Sequence, residues 1–151
     1  MELNLFLFSI YDEEVTINIL LELLKQVTQD IKTDLSESGE VYIYCNYFLI
    51  CIEKDEIDNI NDIKEEHDMD VNLSISIQVF NKTFDVGITS LLKFIGLIIN
   101  KLQGDVLLLE NFSPEILKRK DDVLFANIDF NSEYYRFPFN ELGIPYVELK
   151  I

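Results

Sequence analysis

The chain has 151 residues and carries 28 acidic against 12 basic side chains, a formal net charge of -16. A field of that sign repels phosphate backbones and anionic lipid, so nucleic acid and membrane are excluded as expected partners, while a cation or a basic protein is favoured. With 48% hydrophobic residues the chain can offset its ordering entropy by burial, and its length fits a single globular domain over residues 1–151.

"LNLFLFS", Leu3 to Ser9, is apolar on both parities, the pattern of a central strand. Asp12, Glu13 and Glu14 then offer an N-cap and the negative charge that a helix start favours. Ile17, Leu20, Leu21, Leu24, Val27 and Ile31 follow at helical spacing, which predicts a long helix from about Glu13 to Lys32, broken by "SESGE". "VYIYCNYFLICIE", Val41 to Glu53, is β-branched and aromatic; one long bent strand or two short ones broken near Asn46 both fit. Cys45 and Cys51 lie within it. On a single strand their Cα atoms would stand roughly 20 Å apart, beyond the roughly 7 Å a disulfide spans, so two unbridged thiols are expected.

"EKDEIDNINDIKEEHDMD" comes next and concentrates nine carboxylates, Glu53, Asp55, Glu56, Asp58, Asp62, Glu65, Glu66, Asp68 and Asp70. Ile57, Ile60 and Ile63 recur every three residues, as in a short amphipathic helix with a charged outer face, although a loop also fits. "VNLSISIQVF" alternates, with Val71, Leu73, Ile75, Ile77 and Val79 on a core face and Asn72, Ser74, Ser76 and Gln78 on a wet or polar-covered one. From Ile88 a second long and greasier helix runs to Gly104. "DVLLLE" reads as a strand, "SPEILKRKDD" as a brief helix or solvated turn, "VLFANI" as a strand, and "GIPYVELKI" as a closing edge strand. The expected fold is α+β, a mostly antiparallel sheet with two long helices on one face, and the repeated strand-then-helix order suggests a ferredoxin-like duplication.

Chemistry is thinly supplied. The acidic segment lacks the alternating oxygen ligands and central glycine of a calcium loop, because Ile60 and Lys64 fall where ligands should stand. His67 is the single histidine, too little for the usual zinc sites or for a Ser-His or Cys-His pair, and is expected to be solvated. The five glycines form no phosphate-binding loop. No catalytic residue, metal or cofactor is therefore expected, and the chain does not read as an enzyme. The aromatic run "EYYRFPF", with Tyr134, Tyr135, Arg136, Phe137 and Phe139, is expected to pack on the core. "MELNLFLFSIYDEE" lacks the basic start of a secretory signal, and no apolar run reaches the eighteen or so residues of a membrane span, so a bacterial-type cytoplasmic location is expected.

The run "GDVLLLENFSPEILKRKDDVLFAN", preceded by "FNKTFDVGITSLL" and a greasy helix, resembles the C-terminal half of small immunity proteins of bacterial polymorphic-toxin systems, of the SitI type. The resemblance implies a cytosolic inhibitor that neutralises a cognate toxin, often a basic nuclease. The nine carboxylates are then the expected docking surface, steering a basic partner that a nearby Tyr or Phe would anchor. Two alternatives accompany this reading: a general interaction or adaptor module without a toxin partner, and a small-ligand or metal-dependent enzyme, which would show a deep pocket with converging polar groups. Oligomeric state is not specified by the sequence.

Overall fold

A computed structural model describes residues 1–53, 57–112, 114–130 and 137–149, the side chains of Ile57, Asp58 and Phe130 aside. The strands are β1 (Glu2–Leu7), β2 (Lys32–Leu35), β3 (Val41–Tyr44), β4 (Phe48–Glu53), β5 (Leu73–Val79), β6 (Val106–Glu110), β7 (Glu115–Lys120), β8 (Val123–Asn127) and β9 (Val147–Leu149). They form one nine-stranded sheet in the order β2-β3-β4-β5-β1-β6-β7-β8-β9. β1 sits in the middle, paired antiparallel with β5 and β6, as its two-sided apolarity requires. β9 pairs parallel with β8, so the sheet is mixed.

The α+β class holds, but the expected arrangement does not. Three α-helices are described rather than two long ones: α1 (Glu13–Leu24), α2 (Ile57–His67) and α3 (Phe84–Lys101), of which only α3 is long, at 18 residues. They occupy both faces. Leu20, Leu23 and Leu24 of α1 and Leu91, Leu92 and Ile95 of α3 join a large core with Leu3, Leu5 and Leu7. Ile63 of α2 packs with Phe6, Met69, Val71, Leu107 and Leu109, whose strand residues point the other way. A nine-stranded mixed sheet with helices on both faces also overturns the ferredoxin-like duplication.

Helix α1 starts as the sequence indicates, with the Asp12 carboxylate accepting the Val15 N–H at 2.9 Å. It ends at Leu24, well short of Lys32. Val27 and Ile31 kept the helical period because they still pack on the core after the helix has ended, and Asp30 at φ 57 turns the chain into β2. The Val41–Glu53 run is a hairpin, in which Cys45, Asn46 and Tyr47 connect β3 to β4. Neither cysteine is in a disulfide.

Within "SPEILKRKDD", Glu115–Lys120 is strand β7 rather than the brief helix or turn expected, and only the closing Asp121 and Asp122 turn. Asp121 and Asp122, at φ 50 and 63, form the left-handed pair of a tight hairpin turn and return the chain as β8.

The stretch Asn81–Lys101 is, by length and composition, apolar enough to cross a membrane, contrary to the sequence expectation. Half of it is buried inside the fold, as befits a core helix. At Gly96 α3 meets the 3-10 turn Phe139–Leu142 backbone to backbone: a Cβ there would lie 1.9 Å from the Leu142 carbonyl oxygen. Phe137 and Phe139 are buried beside it with stacked rings, as expected for that part of the aromatic run. Tyr134, Tyr135 and Arg136 lie outside the described residues.

Candidate functional site

Helix α2 settles the form of the acidic segment from Ile57 onward. Ile63 is buried and Ile60 half-buried against the sheet, so the polar positions must face out. Asp62, Glu65 and Glu66 are exposed and separated by three or four residues, one stripe on the outer surface. The side chain of Asp58 lies outside the described residues. Asp68 and Asp70 are exposed just past the helix end. Glu53 stands apart from them at the end of β4, where it lines a small depression with Ile60. Asp55 and Glu56 lie outside the described residues. The six described carboxylates are thus not one cluster: a helical stripe, a pair at the helix end and a sheet residue are separate groups.

The backbone at the helix end is tied down by a lysine and an aspartate from β7 and the loop before β6. Lys120 Nζ donates to the Asp68 carbonyl at 2.6 Å and to Asp105 Oδ2 at 2.9 Å, and the same Asp105 oxygen accepts the Asp70 N–H at 2.7 Å. Lys118 Nζ donates to the His67 carbonyl at 3.1 Å. Both lysines therefore sit at the negative end of the α2 dipole. The hydrogen bond to Asp105 raises the Lys120 pKa, partly opposed by burial. His67 is not solvated as expected: its Nδ1 lies 2.6 Å from Glu115 Oε1. Between the lysines, Arg119 points to the opposite face of the strand and donates to the carbonyls of Ile99, Leu102 and Gly104 at the end of α3. Burial lowers its pKa. The "LKRK" knot, read as a solvated turn, is a two-sided clamp on the ends of two helices.

Beyond α2, the same sheet face is open, and register explains its shape. Tyr42 stands opposite Cys51, Cys51 opposite Ser76, and Ser76 opposite Asn4. In the next row Tyr44, Leu49, Gln78 and Glu2 are aligned in the same way. Short side chains at Cys51 and Ser76 between bulkier flanks leave a depression of about 370 Å³, lined also by Glu2, Glu53 and Phe112.

Each of its two aromatic flanks is held by a hydrogen bond. The Tyr42 hydroxyl donates to Glu40 Oε2 at 2.7 Å, a bond that raises the tyrosine pKa and keeps it a phenol. Phe112 is held at φ 64, a strained conformation for a bulky residue, by donating its N–H to Asn4 Oδ1 at 2.9 Å. Half of Phe112 and 40% of Tyr44 remain exposed. Only part of this face is signalled by local pattern. The polar parity of Ser74, Ser76 and Gln78 marks the open face, whereas Glu2, Asn4, Tyr42, Tyr44 and Phe112 were hidden in runs that read as core strand or turn.

A different depression, of about 610 Å³, lies between α1 and α3 and is lined by Val15, Ile19, Leu23 and Leu97 with polar Asn18 and Asn100. His67 pairs with β7, four strands from Cys51 on β4, roughly 19 Å by strand spacing, so the structure does not bring a Cys-His pair together. No family model, curated protein or solved structure matches this chain.

Proposed function

We propose that this chain is an inhibitor that binds and neutralises a basic protein, a cognate toxin of nuclease type, in the cytoplasm. The observation that carries the reading is the placement of the α2 carboxylates, Asp62, Glu65 and Glu66, beside an open sheet face with half-exposed aromatics, in a chain of net charge -16. Carboxylates of this kind speed encounter with a cationic partner, while desolvated aromatics hold it once docked. An acidic surface of this type can also occlude a cleft that evolved to hold phosphates. The resemblance to immunity proteins points in the same direction.

The test is co-expression with the product of the neighbouring open reading frame, scoring host survival and co-purification at low and high salt. Rescue from a toxic neighbour, with a complex that weakens as salt rises, is the expected result. A harmless neighbour and no complex would overturn the toxin assignment and favour a general interaction module.

A further inference from the structure

We infer that the depression on the open sheet face receives an arginine side chain of the basic partner; this rests on the reading above and names the contact it uses. Its charged lining residues are Glu2 and Glu53, both acidic. Its floor, Ser76 and Asn4, presents short polar groups, and Tyr42 and Phe112 flank it. A cation with a flat, weakly hydrated head suits such a site: guanidinium stacks on aromatic faces and offers several donors in a plane, whereas an ammonium is a strongly hydrated point charge. The volume of about 370 Å³ is near the small end of ligand pockets, which begin at roughly 300 Å³, and suits a side chain better than a large ligand.

The two flanks are also pre-positioned. Tyr42 is tied to Glu40 and Phe112 to Asn4 before any partner arrives, which lowers the ordering cost of docking. Strain at a non-glycine left-handed position persists where the surroundings impose it, and it is often found at binding sites. Here the imposing group, Asn4, is itself part of the floor. The α2 stripe would then attract the partner, and this depression would hold it.

The test is an NMR titration of the full chain with Nα-acetyl-arginine amide and, in parallel, Nα-acetyl-lysine amide, followed by amide shifts. Saturable shifts are expected at Asn4, Ser76, Gln78 and Phe112, with arginine bound more tightly than lysine. Phe112→Asn, which suits the left-handed backbone while removing the ring, should weaken arginine binding about three- to fivefold. Ser76→Phe should fill the depression and abolish saturation, whereas Asp62→Asn with Glu65→Gln and Glu66→Gln should leave the localised shifts in place. Shifts scattered over the acidic surface, equal for the two probes or unchanged in Phe112→Asn and Ser76→Phe, would overturn the inference. The outcomes also separate it from the proposed function: a neighbour complex indifferent to Ser76→Phe sinks this contact alone, and localised arginine binding without a toxic neighbour sinks the toxin reading alone.

Discussion

Replacing Arg119 by Met tests the clamp at the end of α3. Arg119 is 8% exposed, and its guanidinium donates to three backbone carbonyls, those of Ile99, Leu102 and Gly104. Methionine keeps much of the apolar stem and removes all of these donors. A buried acceptor that loses its partner costs about 1–3 kcal/mol. The guanidinium's own desolvation, visible as its lowered pKa, is relieved at the same time and offsets part of the loss. A net destabilisation of about 3–4 kcal/mol follows, a large share of the ~5–15 kcal/mol that holds a typical domain together. Arg119→Lys should lose about 2 kcal/mol, because one ammonium cannot reach all the carbonyls in the geometry of a planar fork. Urea unfolding followed by far-UV circular dichroism measures both variants. A midpoint for Arg119→Met within about 0.5 kcal/mol of the parent would refute the idea that these bonds close the helix.

Gly96→Ala should destabilise by about 2 kcal/mol or more, since its Cβ would meet the Leu142 backbone; a thermal melt shifted by less than a degree would contradict the close approach. Because Glu40 raises the Tyr42 pKa, the unfolded chain should lose that proton first, so the stability from this bond is present below about pH 10 and is lost as pH rises beyond it. Ultraviolet titration should show the Tyr42 phenol ionising above the ordinary tyrosine range, and Glu40→Gln should remove the delay. Replacing Asp58, Asp62, Glu65 and Glu66 together by Asn and Gln should slow association with the true partner and flatten its salt dependence while leaving the melting curve unchanged; identical association rates in stopped flow would remove α2 from the docking surface.

The central strand, the α1 cap and the alternation of β5 were legible because one local rule governed each. Leu3, Leu5 and Phe6 can only be buried on two sides, and Asp12 needs only the Val15 amide three residues on. The end of α1 was not legible, since Val27 and Ile31 satisfy the same core whether they reach it from a helix or a turn. Strand β7 was misread because its charged residues looked solvent-facing. Their partners, the His67 and Asp68 carbonyls and the end of α3, are supplied by segments far away in sequence. The division of the helices between two faces was hidden for a similar reason: Phe6 looks like any other apolar residue of β1 until α2 covers it. Of the candidate site, the carboxylate stripe could be read from spacing. The open face depends on register across four strands, which no local pattern contains.

The central place of β1 has a consequence for how the protein is made. Its neighbours on either side are β5 and β6, with Glu2 opposite Gln78 and Leu3 opposite Glu110. A chain emerging from the ribosome at roughly 5–20 residues per second therefore carries an apolar strand whose first partner, β5, ends at Val79 and whose second edge waits for β6, about a hundred residues after β1. That interval is roughly 5–20 s at such rates. The hairpin of β3 and β4 can form early because its partners are adjacent, but the sheet cannot join its halves until β6 is released. Non-local closure of this kind slows folding and leaves sticky edges exposed. During that window the net charge of -16 is what opposes aggregation through the open edge of β1.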